Sequence, residues 1–208
     1  MESIRYVALG DSYTIGTGLD DESQNFPSLL AKRLTEETSI EVGLVNLGVN
    51  GYTTIDLIRE ELPVARDLRP GLVTILIGAN DVVQRSTEAA YRTRLAEIYD
   101  ALAALPLSSA MVVSVSTPDF SALAGAAPFG TATDLRTRID AFNRIAQSEA
   151  AAREFHYADI SAITREVNRG NDWLAADGLH PGPAQHRAIA DQLWRLLGAV
   201  VKTRRGAA

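Results

Sequence analysis

Five short aliphatic or β-branched runs, Ile4–Leu9, Ile40–Asn46, Leu72–Ile77, Ala110–Ser116 and Phe155–Ile160, recur along the chain with helix-period segments between them. Phe26, Leu30 and Leu34 repeat at i, i+4. Tyr91, Leu95, Ile98, Leu102 and Leu105 alternate fours and threes. So do Leu135, Ile139, Phe142 and Ala146, and again Ile189, Leu193, Leu196 and Val200. Such spacing places one apolar stripe on each helix. A further helix is predicted to start near Thr53 or Thr54, either of which can cap it, and to stop by Pro63 or a little after. Strands that alternate with helices in this way form a parallel sheet covered on both faces. Right-handed crossovers then give an α/β fold, a three-layer α/β/α sandwich. With 208 residues and no linker or repeat, residues 1–208 read as a single domain.

Composition removes several classes of function. There is no cysteine, which excludes disulfides, thiolate-bound zinc, iron–sulfur clusters and thiol catalysis. Twenty Lys and Arg against 26 Asp and Glu leave a net charge of −6, which disfavours binding to nucleic acid or anionic lipid over the whole surface. The basic tail Lys202, Arg204, Arg205 reads as a solvated end. No apolar run approaches the ~18 residues of a membrane helix. The first strand follows Met1 within a few residues, with no signal-peptide core. A cytoplasmic protein is therefore expected, although a processed export form carrying a new start Met would read the same. The acidic run Asp20-Asp21-Glu22 lacks calcium-loop spacing and reads as a helix lead-in, so no metal is expected.

In an open parallel sheet, ligands bind beyond the carboxyl ends of the strands. Gly10-Asp11-Ser12-Tyr13-Thr14 follows the first strand and Asn46-Leu47-Gly48-Val49-Asn50-Gly51 ends the second. Gly78-Ala79-Asn80-Asp81 follows the third, and Asp177-Gly178-Leu179-His180-Pro181 lies in the loop after the fifth. Brought to one rim, these residue types suit acyl transfer. Ser12 would be the nucleophile, and a serine hydroxyl needs a base within hydrogen-bond reach. Of the three histidines, only His180 has an aspartate at i−3 and a loop position. Asp177 would fix its tautomer and stabilise the imidazolium. The backbone N–H of Ser12, that of Gly48 and the amide of Asn80 could face an oxyanion. His156, between two aromatics in the fifth strand, reads as a partly buried structural residue, and His186 as solvated on the last helix. Asp11 and Asp81 read as local hydrogen-bonding residues. Trp173, Leu174, Phe120 and Phe129 could line an acyl pocket or simply anchor loops.

Those four blocks resemble the SGNH (GDSL-type) hydrolase family of esterases, lipases, thioesterases and related acyl hydrolases. Gly10-Asp11-Ser12 matches its serine block, Asn46-x-Gly48-x-x-Gly51 its glycine block, Gly78-Ala79-Asn80-Asp81 its asparagine block, and Asp177-x-x-His180-Pro181 its last. The resemblance implies a flavodoxin-like sheet of order 2-1-3-4-5. It also implies Ser12, Asp177 and His180 as triad and Ser12, Gly48 and Asn80 as oxyanion hole. The implied substrate is a small acyl ester, with no cofactor. Tyr13 departs from the family, where Leu is typical. Two alternatives remain open at this level. One is an acyltransferase using the same residues. The other is a non-enzymatic flavodoxin-like ligand-binding module, since Gly10 to Gly18 is glycine-rich at a strand–helix turn. That module has no phosphate-loop signature and leaves Asp177 and His180 unexplained. A Gly-x-Ser-x-Gly elbow is disfavoured by Thr14.

Overall fold

The computed structural model describes residues 3–38, 40–167 and 169–204, with the side chains of 202–204 outside that description. Arg205 and the side chains of Lys202 and Arg204 therefore lie outside the described residues. Strands β1 (Ser3–Gly10), β2 (Glu41–Asn46), β3 (Leu72–Leu76), β4 (Val112–Val115) and β5 (His156–Ala158) form one sheet of order β2-β1-β3-β4-β5. Every pairing is parallel. This is the expected flavodoxin-like order. Ala8 pairs with Asn46 and Gly10 with Leu76, so the chain leaves β1, β2 and β3 at one rim.

Period-two alternation along the strands divides the core. Tyr6 and Ala8 of β1, Leu72 and Leu76 of β3 and Val113 of β4 pack with α2 (Phe26–Thr38) and α9 (Pro183–Arg204). Val7 and Leu9 of β1, with Val73 and Ile75 of β3, face the opposite layer. That layer holds the helical segment 54–68, α6 (Glu88–Ala103) and α7 (Ala132–Ala151). Strands buried on both faces explain why these runs read as continuous hydrophobics. Three one-turn helices sit at the carboxyl rim: α1 (Ser12–Ile15), α5 (Ala79–Val83) and α8 (Ser161–Thr164).

Two expectations need correction. The helix expected to stop by Pro63 or a little after continues for more than a full turn beyond it, to Leu68. It runs as α3 (Thr54–Asp56), a π-helical turn (Leu57–Glu61) and α4 (Leu62–Leu68). Proline clashes with the carbonyl one turn back, and the wider π turn just ahead of Pro63 relieves that clash. The same turn changes the angular phase of the helix and sends Glu61 inward, where it is buried. The second correction is His186, which is buried rather than solvated. Its Nδ1 accepts the N–H of Phe26, 3.1 Å away, satisfying one of the orphan donors at the start of α2. Its ring stacks on Phe26 at 6.3 Å between centroids. Burial, with a smaller contribution from His180, pulls its pKa down to about 3.

Candidate active site

Ser12 is placed by the two residues before it. Gly10 has φ 145, and a Cβ there would lie 2.1 Å from Leu76 O, so only glycine fits where β1 meets β3. Asp11 caps α1, its Oδ1 accepting from the N–H of Tyr13 at 3.0 Å. Ser12 is then the first residue of α1 and is 6% exposed. Among the described residues its N–H meets no acceptor.

The segment after α8 carries the second half of the site. Leu174 and Pro181 form an antiparallel bridge, and the N–H of Ala175 donates to His180 O at 2.8 Å. The indole of Trp173 donates to Glu166 O. Trp173 is therefore a loop anchor and not a pocket wall. Within the bridge, the two oxygens of Asp177 have separate tasks. Oδ1 accepts the N–H groups of Leu179 (2.9 Å) and His180 (3.0 Å) and shapes the turn. Oδ2 lies 2.6 Å from His180 Nδ1. A carboxylate can only accept, so the proton sits on Nδ1 and Nε2 is left as the basic nitrogen. Burial alone would push the Asp177 carboxyl up. Hydrogen bonds from His180 and Leu179, with the His180 charge, outweigh it and hold Asp177 below the usual carboxylate range.

Tyr13 connects the two halves. It is buried, its hydroxyl donates to Leu179 O at 3.4 Å, and its ring centroid lies 6.3 Å from that of His180. Ser12 and His180 line one cleft, without a direct hydrogen bond between Oγ and the imidazole among the described residues. This contact is often loose in unliganded serine enzymes.

Asn80 lines the same cleft, and one of its amide hydrogens goes to Tyr52 O at 2.9 Å, leaving the other. Gly48 packs against α1, where a Cβ would lie 2.8 Å from Ile15 N and from Thr14 Cβ. Its N–H is already engaged by Asn46 Oδ1 at 3.0 Å. Asn46 in turn donates to Thr14 O at 2.8 Å. Of the three expected oxyanion donors, two are unspent and the third would have to share its hydrogen.

Asp81 holds this rim together. It is fully buried and accepts from Thr54 N–H (2.9 Å), Thr54 Oγ1 (2.7 Å) and Arg94 Nη2 (3.0 Å). Asp81→Ala is expected to cost about 3 kcal/mol, because it strands a partly buried guanidinium and two donors. The urea unfolding midpoint measures this.

The cleft holds about 210 Å³. Its walls are mostly apolar: Tyr13, Val83, Phe120, Phe129 and Leu179. Phe120 and Phe129 come from the connection between β4 and α7, so the pocket reading of these two holds. That connection is tied down by Asp119, which accepts from Arg165 Nε (2.7 Å) and Ser121 Oγ (2.6 Å). Val83 and Leu179 were not singled out from the sequence. The available signals were position alone: Val83 lies one turn after Asn80 on α5, and Leu179 immediately precedes His180. Among the described residues, no group of three acidic or histidine side chains could hold a metal ion, and no helix is long and apolar enough to cross a membrane.

A parallel sheet of this order carries serine, histidine and aspartate side chains at its carboxyl rim. The model of the GDSL-like Lipase/Acylhydrolase family matches residues 8–188, and the chain belongs to that family of esterases and lipases. It is similar to Esterase TesA of Pseudomonas aeruginosa, at 24% identity over 191 residues, 92% of this chain and 86% of that protein. The crystal structure of the lipase/acylhydrolase from Enterococcus faecalis superposes with a TM-score of 0.76 at 25% identity, over 96% of each chain. That of TesA gives 0.73 at 26% identity, over 93% of this chain and 97% of the other. Axe2, an acetylxylan esterase from Geobacillus stearothermophilus, shares the fold at a TM-score of 0.75 and 20% identity, over 94% of each chain.

Proposed function

We propose that the chain is a serine hydrolase that cleaves carboxylic ester or thioester bonds through Ser12, His180 and Asp177. The observation that carries this reading is His180, which lines the same cleft as Ser12 and has Asp177 Oδ2 2.6 Å from its Nδ1. Ser12 Oγ attacks the carbonyl carbon of the substrate, and its proton passes to His180 Nε2. The tetrahedral oxyanion is met by the Ser12 N–H and the free Asn80 amide hydrogen, with Gly48 N–H shared between it and Asn46. His180 returns the proton to the leaving alcohol or thiol as the acyl–oxygen or acyl–sulfur bond breaks. Water, deprotonated by the same nitrogen, then releases the acid from Ser12 and restores the hydroxyl.

The acyl group is a hydrocarbon of limited length. A cleft of about 210 Å³ has room for about seven water-sized groups, and its walls offer few polar partners. A hydrolysis series from acetyl to dodecanoyl esters should therefore peak at short to medium chains. Labelling by a fluorophosphonate tests the nucleophile directly, with the adduct expected on the peptide that contains Ser12. Failure to label, or an adduct on another serine, would overturn the assignment. Asn80→Ala is expected to lower kcat by about 10²–10³ with little change in KM, since the amide acts on charge that develops after binding. Steady-state kinetics on one aryl ester measure it.

A further inference from the structure

Glu61 has no part in the scheme above, yet it reaches the nucleophile's turn. It is 3% exposed and leaves the π-helical turn toward the end of β1. Its Oε2 accepts the N–H of Gly10 at 2.8 Å. The next residue, Asp11, is fully buried and caps α1 with Oδ1. Each carboxyl keeps one oxygen, Glu61 Oε1 and Asp11 Oδ2, that is buried and meets no donor. Two acids with unmatched oxygens in an apolar interior cannot both be charged at acceptable cost. Among the described residues, no cation hydrogen-bonds or pairs with either carboxyl. Asp56 acts on Glu61 from α3 and Asp81 acts on Asp11 from α5, both raising the pKa of the acid they face. Arg94 of α6 is engaged with Asp81, and Tyr13 of α1 carries no positive charge.

We propose that Asp11 and Glu61 hold one proton between them, and that the resulting O–H···O contact across the Gly10–Asp11 peptide makes Glu61 a positioning residue for Ser12. The proposal rests on Ser12 being the nucleophile. Glu61 carries the proton: burial first, then the nearby acidic charges, push it up to about 9, whereas Asp11 is pushed up to about 7. The joined pair grips the backbone on both sides of the residue before the nucleophile, through Gly10 N–H on one side and Tyr13 N–H on the other. Once the proton is lost in alkali, the two carboxylates repel and the turn carrying Ser12 shifts. The cleft walls, which come mostly from other segments, stay in place.

The test compares wild type, Glu61→Gln and Glu61→Leu. It reads kcat and KM on a short-chain aryl ester from about pH 6 to 10, and thermal midpoints over the same range. Glutamine mimics the protonated acid and keeps an acceptor for Gly10 N–H. Wild type should lose kcat, not KM, in a step near pH 9, and Glu61→Gln should lack that step. Glu61→Leu should lower neutral kcat by about 10-fold at unchanged KM, with Gln restoring it. Between pH 5 and 9 the melting midpoint of Glu61→Gln should gain about 5 °C or more on wild type. The same alkaline step in Glu61→Gln, with parallel melting curves, would overturn the shared proton. Wild-type kcat in Glu61→Leu would overturn the positioning role. Melting does not depend on which residue is the nucleophile. If Ser12→Ala kept full activity, the catalytic reading would fail while the melting curves still decided the pair.

Discussion

Ser12→Ala is expected to lower kcat for a short-chain aryl ester by about 10⁶, with KM and the unfolding midpoint close to wild type. In the proposed scheme the loss is large because the residue would supply the bond-forming atom and every later step would pass through the acyl-enzyme. Stability should be preserved because Ser12 Oγ makes no hydrogen bond to another described residue, and alanine is well suited to the first turn of a helix. The variant should also lose all fluorophosphonate labelling. Residual turnover above a thousandth of wild type, with the protein shown by mass to be free of contaminating enzyme, would mean that another group attacks the carbonyl.

Asp177→Asn should cost about 10⁴ in kcat. The two oxygens of Asp177 make this substitution unusually clean. Asparagine can keep its carbonyl oxygen on the N–H groups of Leu179 and His180, so the turn survives. Its amide then meets His180 Nδ1, where the carboxylate stood at 2.6 Å. An amide N–H donates to Nδ1, which moves the ring proton to Nε2 and removes the basic nitrogen from the side facing Ser12. The imidazolium formed during attack also loses its counter-charge. The check is a rate comparison with a crystal structure of the variant: an intact loop and a loss of less than tenfold would remove Asp177 from the proton-transfer scheme. An intact loop with the full loss separates its electrostatic task from its structural one.

The layer order and the central strand positions were legible because the inner strands β3 and β4 are buried throughout, so their runs are almost wholly apolar, as in Leu72 to Leu76, where Thr74 is the one polar residue. The rim residues were legible because strand order and polarity confine them to one edge. Two things were not. Pro63 reads as a stop, and nothing local announces the π turn that lets the helix continue to Leu68. That turn also carries Glu61 into the core, which the local sequence gives no sign of. His186 reads as solvated because the donor it satisfies, Phe26 N–H, lies 160 residues away in sequence. Buried polar groups are fixed by partners distant along the chain, and periodicity carries no record of such partners. The engaged N–H of Gly48 belongs to the same category: its glycine was visible, and the claim that Asn46 makes on its hydrogen was not.

The division of labour around the cleft has a practical consequence for changing what the enzyme accepts. The groups proposed to react follow β1 and β3 and lie in the bridged loop before α9, whereas Phe120 and Phe129 hang from a separate excursion pinned by Asp119. Libraries confined to Phe120 and Phe129, with Asp119, Ser121 and Gly125 left intact because Gly125 N–H donates to Gly178 O at 3.2 Å, would remodel the room offered to a substrate while sparing the Asp177–His180 turn. Directed evolution of this scaffold thus has a natural handle that is spatially adjacent to the reacting groups but separate from them in sequence.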